Sequence, residues 1–178
     1  MSSMTIWTHG LATQADNPGD FPETTPGPAA LPYVVRDPGG ITFSPLYGKD
    51  HTFNIPVSIP TVVDGYYMQI RSIVLLYDAP TSTINNIVLY SGANILESFE
   101  GLGWTGSHSE FDGSNFLELS PAAVVSAGLL IAMDVTFESP VISAGRLFGS
   151  VRIAGAGIDL QPGKSIVGTI GGTPIPGA

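Results

Sequence analysis

The stretch Leu129-Leu130-Ile131-Ala132-Met133-Asp134-Val135-Thr136-Phe137 decides the fold class of this chain. Large apolar side chains occupy every second position from Leu129 to Phe137, and the residues between them are mostly small or polar. Because successive side chains of a β-strand point to opposite faces, this pattern predicts a strand with one buried face. Residues 52–59 alternate in the same way, and Pro56 and Pro60 favour a position at a sheet edge.

Similar patterns recur along the chain. Further strands are predicted at residues 5–9, 41–47, 68–77, 86–90, 116–119 and 147–153. Residues 73–77 are apolar at successive positions, which predicts cover on both faces, and Asp78-Ala79-Pro80 is typical of a turn. Ser120, Pro121 and Gly128 are placed to start and end one short helix. We therefore predict an all-β protein, an antiparallel β-sandwich of the jelly-roll type with one short helix.

The chain length of 178 residues favours one domain. Residues 1–160 form the predicted β-sandwich domain. Within it, residues 16–45 are rich in proline, which lacks an amide donor, so we expect an irregular connection along the surface. Residues 161–178 form a tail rich in glycine and proline that also carries several isoleucines. We expect this tail either to lie against the body or a neighbouring subunit, or to be a disordered terminus.

Composition excludes several function classes. The chain has no cysteine, which excludes disulfide scaffolds and cysteine-ligated metal sites. Its net charge of −9 opposes binding to nucleic acid and to an anionic membrane surface. The N-terminal residues show no signal peptide, and no apolar stretch is long enough to span a membrane, so a cytoplasmic location is the default expectation.

Nucleotide and nucleophile motifs are missing. Gly163-Lys164-Ser165 resembles the end of a phosphate-binding loop, but it follows Gly157 at the wrong spacing and no helical pattern comes after it. No serine stands in a nucleophile elbow. We therefore expect no cofactor and no catalytic residue that local sequence could reveal.

The region after residue 100 carries the candidate ligand-binding residues. Trp104 lies in a glycine-rich segment predicted as a loop, where an indole either packs over the edge of the core or is exposed to a ligand or a partner subunit. The polar residues that follow it and could contact a ligand are His108, Glu110, Asp112 and Asn115.

These polar residues allow two metal interpretations. The side chains of Glu110, Asp112 and Asn115 could surround calcium, as could those of Asp16, Asn17 and Asp20. Such runs are more often turns held by side-chain hydrogen bonds. His108 and Glu110 alternate onto one face, but a second histidine at strand spacing is missing. We predict no metal site.

Three strand patterns resemble a known group of proteins. These are Asn54-Ile55-Pro56-Val57, residues 84–92 and residues 129–137. Together they resemble an uncharacterised family of small bacterial and fungal β-sandwich proteins, over residues 5 to about 155. The resemblance implies a fold and no catalytic residue.

Three functions are consistent with these observations. The first is a non-catalytic structural or interaction module that forms a homo-oligomer, because a mean hydropathy of +0.28 with 12% charged residues leaves apolar surface for another subunit to cover. The alternative is a saccharide-binding module that uses Trp104 and the loop after it. The second alternative is a hydrolase or metal-dependent enzyme whose dispersed site combines His108, Glu110 and either His9 or His51.

Overall fold

The computed structural model describes residues 3–21, 33–45, 50–138 and 149–165. Two short 3-10 helices, Gly10–Ala12 and Pro18–Asp20, accompany the strands. The strands are β1 (Met4–His9), β2 (Gln14–Ala15), β3 (Tyr33–Asp37), β4 (Gly40–Ser44), β5 (Asp50–Val57), β6 (Val62–Val63), β7 (Tyr66–Ser91), β8 (Asn94–Phe99), β9 (Trp104–His108), β10 (Phe116–Val124), β11 (Leu129–Phe137) and β12 (Val151–Ser165).

Strand β7 connects the two layers of the fold. Its first half, Tyr66 to Asp78, pairs antiparallel with β12, and its second half, Ser82 to Ser91, pairs antiparallel with β11. The hydrogen-bonded order is β2-β5-β11-β7-β12-β4-β3, with β1 on β12 and with β6, β8, β9 and β10 on β7. The chain is an antiparallel β-sandwich of the jelly-roll type, as predicted from the alternating patterns.

The core lies between the two layers and follows the alternation of the strands. Along β11, every second residue from Leu129 to Phe137 is buried, which confirms the prediction for this stretch. Phe53 of β5 and Phe137 of β11 belong to a cluster of aromatic rings that also includes Phe21 and Phe43. Burial of these side chains provides the main favourable free energy of folding.

The short helix predicted after Ser120 is absent. Residues 121–124 belong to β10, where Ala123 pairs with Ile70 of β7. Val125 follows with no exposed surface, and its amide donates to the Met68 carbonyl. The prediction was wrong because hydrogen bonds to β7 and burial of Val125 outweigh a local capping signal.

The predicted turn at Asp78-Ala79-Pro80 is also absent, because β7 continues through it. Ala79 is fully buried and pairs with Gly106 of β9. Pro80 has no amide to donate and lies exposed at the passage between the layers. Residues 68–77 and 86–90, predicted as separate strands, are therefore parts of one strand.

Other differences concern segments without clear alternation. Strands β8 and β9 were not predicted, and Trp104 begins β9 instead of lying in a loop. The predicted surface connection contains the β3–β4 hairpin, and β12 extends to Ser165. The rest of the predicted tail, residues 166–178, lies outside the described residues.

No helix in the described ranges has the length and apolar character needed to cross a membrane.

Truncation of one core side chain tests the position of the core. Ile87 on β7 has no exposed surface, and Ile95 on the neighbouring β8 is 62% exposed. We expect Ile87→Ala to lower the free energy of unfolding by about 2–5 kcal/mol, because it leaves a cavity. Ile95→Ala, the matched control, is expected to change it by about 0.5 kcal/mol or less. Urea denaturation measures both, and equal effects would contradict this core.

Candidate functional site

Trp104 packs on the edge of the core. Its indole lies nearly parallel to the Tyr77 ring, with an interplanar angle of 4° and a centroid distance of 5.9 Å. Tyr77 is 1% exposed, and Trp104 is partly buried. One face of the Trp104 indole is therefore occupied by the protein itself.

His108 is fixed at both ring nitrogens. Its Nδ1 lies 2.6 Å from Asp112 Oδ2, and its Nε2 lies 3.2 Å from the Thr105 carbonyl oxygen. Both nitrogens therefore face hydrogen-bond acceptors. Ser114 Oγ lies 3.5 Å from the same Nδ1 that contacts Asp112. A nucleophile–base–acid triad needs the serine and the carboxylate on different ring nitrogens, so these three residues do not form one.

Asp112 is stabilised as a carboxylate by its neighbours. Ser114 Oγ donates to Asp112 Oδ1 over 2.7 Å, and the Ser114 amide donates to the same oxygen over 2.9 Å. The Ser114 hydroxyl, followed by His108, lowers the pKa of Asp112 to about 2. Burial, followed by the negative charge of Asp112, raises the pKa of Tyr77 to about 12.

Asn115 fixes this loop to β7. It is fully buried, and its Nδ2 donates to the carbonyl oxygens of Leu75, at 3.0 Å, and Glu110, at 2.9 Å. Its Oδ1 accepts from the Asp112 amide at 3.3 Å. These hydrogen bonds match the turn interpretation of the segment, in which polar side chains satisfy the backbone.

The five predicted binding residues are thus brought into one region. Trp104 and His108 both contact Tyr77, while Asp112, Asn115 and the Glu110 carbonyl are linked through the loop. Their role in ligand binding stays a prediction. Within the described ranges, no group of three or more histidine, aspartate or glutamate side chains is arranged to hold a metal ion.

The other two histidines lie in different surroundings. His9 Nδ1 accepts from the Leu11 amide at 3.1 Å, and its Nε2 lies 3.0 Å from the Pro38 carbonyl oxygen. His51 is 7% exposed, and its ring contacts the rings of Phe21, Phe53 and Phe137. The three histidines are therefore held in three separate settings.

Trp7 forms an aromatic surface that the sequence analysis did not single out. It lies on β1 directly opposite Gly157 of β12, and 54% of it is exposed. A Cβ added to Gly157 would lie 2.8 Å from the indole Cη2 and 2.9 Å from Cζ2 and Cζ3. The indole therefore lies flat on the backbone of β12, in the space that a side chain at position 157 would fill.

Strand pairing extends this surface across the sheet. Directly paired residues point to the same side, so one outward row, which we call the aromatic row, consists of Trp7, Gly157, Val74 and Phe116. The next row along the strands, which we call the polar row, consists of Thr5, Asp159, Ser72 and Glu118. We call the surface that carries both rows the outer face.

A second exposed aromatic residue borders the outer face. Phe111 is 63% exposed, and its ring contacts the Phe116 ring edge-on, with a centroid distance of 5.7 Å. Phe111 belongs to the loop that Asn115 fixes to β7. The predicted loop therefore contributes an aromatic side chain to the outer face, but this side chain is Phe111 and not the predicted Trp104.

This arrangement suits a ligand with one apolar face and a polar edge. The aromatic rings and Val74 offer apolar contacts, and carboxylate and hydroxyl groups lie one row away. Two sequence signals could have indicated it. Trp7 alternates with Ile6 and so belongs to the opposite face, and a glycine inside a strand often marks close approach of another group. The sequence alone does not show that the two residues are paired.

Comparisons with known proteins give only structural likeness. No protein-family model and no curated protein matches the chain. A solved structure described as a xylan-binding module CBM15 has a TM-score of 0.42 and 11% identity, over 89% of this chain and 97% of that chain. A structure of TmCBM61 in complex with β-1,4-galactotriose has a TM-score of 0.37 and 10% identity, over 88% of each chain.

A third structure is that of a much longer protein. It is a variant of Xylanase10C from Cellvibrio japonicus in complex with xylopentaose, with a TM-score of 0.42 and 9% identity. The match covers 91% of this chain and 29% of that chain. Similarities at these levels do not assign a function to this chain.

Titration of Asp112 tests the geometry of the loop. We expect the NMR chemical shift of its carboxyl carbon to change with pH with a midpoint at about pH 2. Ser114→Ala should raise this pKa towards 3.8, and by more than His108→Gln does, because the Ser114 hydroxyl has the larger effect. Since folding lowers the pKa, this carboxylate stabilises the fold above about pH 4, and the contribution is lost as the pH falls towards 2. An unshifted Asp112 pKa would contradict the described loop.

Proposed function

We propose that this protein is a saccharide-binding β-sandwich module whose binding surface is the outer face around Trp7. The observation that carries the proposal is the Trp7 indole, which lies flat on Gly157 while 54% of the residue is exposed. A ring held parallel to an open sheet surface presents one face to solvent. That face can stack on the C–H groups of a sugar ring.

The exposed indole leaves apolar surface in water that a bound ligand could cover. An aromatic side chain buries about 150–250 Å² when fully enclosed, so a half-exposed indole leaves on the order of 100 Å² in water. At about 25 cal/mol per Å², covering this area would contribute about 2–3 kcal/mol. Single exposed apolar residues are common, but Trp7 shares its face with Val74, Phe116 and Phe111. A shared apolar surface of this kind favours a binding role.

The polar row supports a saccharide over other ligands. Thr5, Asp159 and Glu118 supply hydroxyl and carboxylate groups about 7 Å from the aromatic row, which is two residues along a strand. Sugar hydroxyls donate to such acceptors while the sugar ring stacks on an apolar surface. A phosphate-bearing ligand is disfavoured because the row is acidic and the net charge is −9.

Removal of the Trp7 ring tests the proposal. The chain has two tryptophans, so Trp104→Phe, which retains an aromatic ring on Tyr77, leaves Trp7 as the single reporter of tryptophan fluorescence. We expect hydroxyethyl cellulose, cereal β-glucan, arabinoxylan or galactomannan to change this fluorescence. In affinity gels of the same polymers, Trp7→Ala in the natural background should reduce binding at least tenfold, equivalent to about 1.4 kcal/mol.

Gly157→Ala is a matched variant that keeps the Trp7 residue but changes the position of its ring. Its φ angle lies outside the left-handed region, and the nearest atoms to an added Cβ all belong to the Trp7 ring. We expect the fold to persist, the indole to tilt away from the sheet and binding to weaken. Loss of binding in Trp104→Phe but not in Trp7→Ala would contradict the proposal and favour the loop around Trp104.

Self-association is the competing use of the outer face. A homo-oligomer that used this face would also cover Trp7 and Val74, since apolar surface favours subunit contacts. Light scattering on the natural protein and on Trp7→Ala distinguishes the two functions. A stable dimer that Trp7→Ala converts to a monomer, without saccharide binding by either protein, would overturn the saccharide proposal.

A further inference from the structure

We infer that the outer face binds an extended, uncharged polysaccharide chain that crosses the strands from Trp7 to Phe111. This inference rests on the proposed function and adds the class of saccharide and its direction on the sheet. Three features of the outer face support it. They are the distance between its two aromatic ends, which are Trp7 and the Phe111–Phe116 pair, the low surface between these ends, and the negative charge of the polar row.

The aromatic ends are too far apart for one sugar. Trp7 lies on β1 and Phe116 on β10, with β12 and β7 between them. Three inter-strand spacings of about 4.8 Å place the two backbones about 14 Å apart. One such spacing, about 4.8 Å, is close to the length of one sugar unit in an extended chain. A chain of about four units is therefore needed to contact Trp7 and the Phe111–Phe116 pair together.

The surface between the ends is low along the aromatic row. Gly157 has no side chain, and Val74, the next residue in the row, has a short apolar one. In the adjacent row, Gly155 lies between His9 and Leu76. Neither row places a long charged side chain between Trp7 and Phe116. A chain can therefore lie across the strands in contact with the sheet.

The charge beside this surface favours an uncharged chain. Asp159 and Glu118 both lie in the polar row, next to the aromatic row. Arg71 Nε lies 3.9 Å from Glu118 Oε1, so Arg71 offsets one of these charges, but both side chains are more than half exposed. A uronate or a sulfated sugar would meet the remaining negative charge at short range, where salt screens it least.

A length series tests the contact at both ends. The probes are oligosaccharides, from the disaccharide to the hexasaccharide, of each uncharged backbone in the polymer panel. We expect the affinity of the Trp104→Phe protein for these oligosaccharides to rise at least tenfold from the disaccharide to the tetrasaccharide and then to level off. Phe111→Ala should lower the affinity for the tetrasaccharide at least fivefold and leave that for the disaccharide unchanged. Ile95→Ala, on β8 and also highly exposed, is the matched control.

A charge comparison tests the chemical class. Hydroxyethyl cellulose and carboxymethyl cellulose share a cellulose backbone, and arabinoxylan and glucuronoxylan share a xylan backbone. In each pair the second polymer carries carboxylates. Where the protein binds a backbone, we expect the uncharged polymer of that pair to bind at least tenfold more tightly than the carboxylated one at low salt. Raising the salt concentration should reduce this difference.

The outcomes separate this inference from the proposed function. Binding that requires Trp7 but depends neither on chain length nor on Phe111 would overturn the extended chain and leave the proposed function intact. Tighter binding of the carboxylated polymers would overturn the uncharged class. Absence of binding to every polymer and oligosaccharide would overturn both proposals.

Discussion

The hydrogen bonding of β7 to both layers is the constraint on which the rest of the fold depends. Because β7 supplies an interior strand to each layer, its register with β12 and β11 decides which side chains face the core. Ile73 lies opposite Ile158 in one layer, and Ile87 lies opposite Met133 in the other. A slip by one residue would reverse the inner and outer faces. The same register places Gly157 between Trp7 and Val74.

Sequence alternation predicted the strands whose two faces differ most and failed where a long-range partner decides the structure. The buried face of β11 could be predicted from its own residues. The passage of β7 through Ala79, and the extended conformation of Ala123, depend on pairing with β9 and with the first half of β7. These partners are distant in sequence, so capping and turn signals were the only local information and indicated the wrong structure.

The candidate site shows the same limit. Flanking glycines left open whether Trp104 packs over the edge of the core or is exposed to a ligand, and its indole stacks on buried Tyr77. Trp7 has no unusual neighbours in sequence, and what distinguishes it is a glycine on another strand. The sequence did identify the loop that ends in Asn115, and the side-chain hydrogen bonds considered there are present. Phe111, the exposed aromatic residue of that loop, becomes relevant only once the position of Phe116 is known.

Two unfavourable features coincide at Gly157 and Trp7, and their coincidence is the best reason to regard the outer face as functional. Glycine within a strand costs about 0.5–1 kcal/mol relative to alanine, and the backbone at Gly157 is not left-handed, so no conformational requirement explains it. The atoms that would exclude a Cβ belong to the Trp7 ring. That ring in turn remains half exposed. A polar residue at position 7 and an alanine at position 157 would relieve both costs, which supports the proposed binding of a ligand to a flat, open aromatic surface.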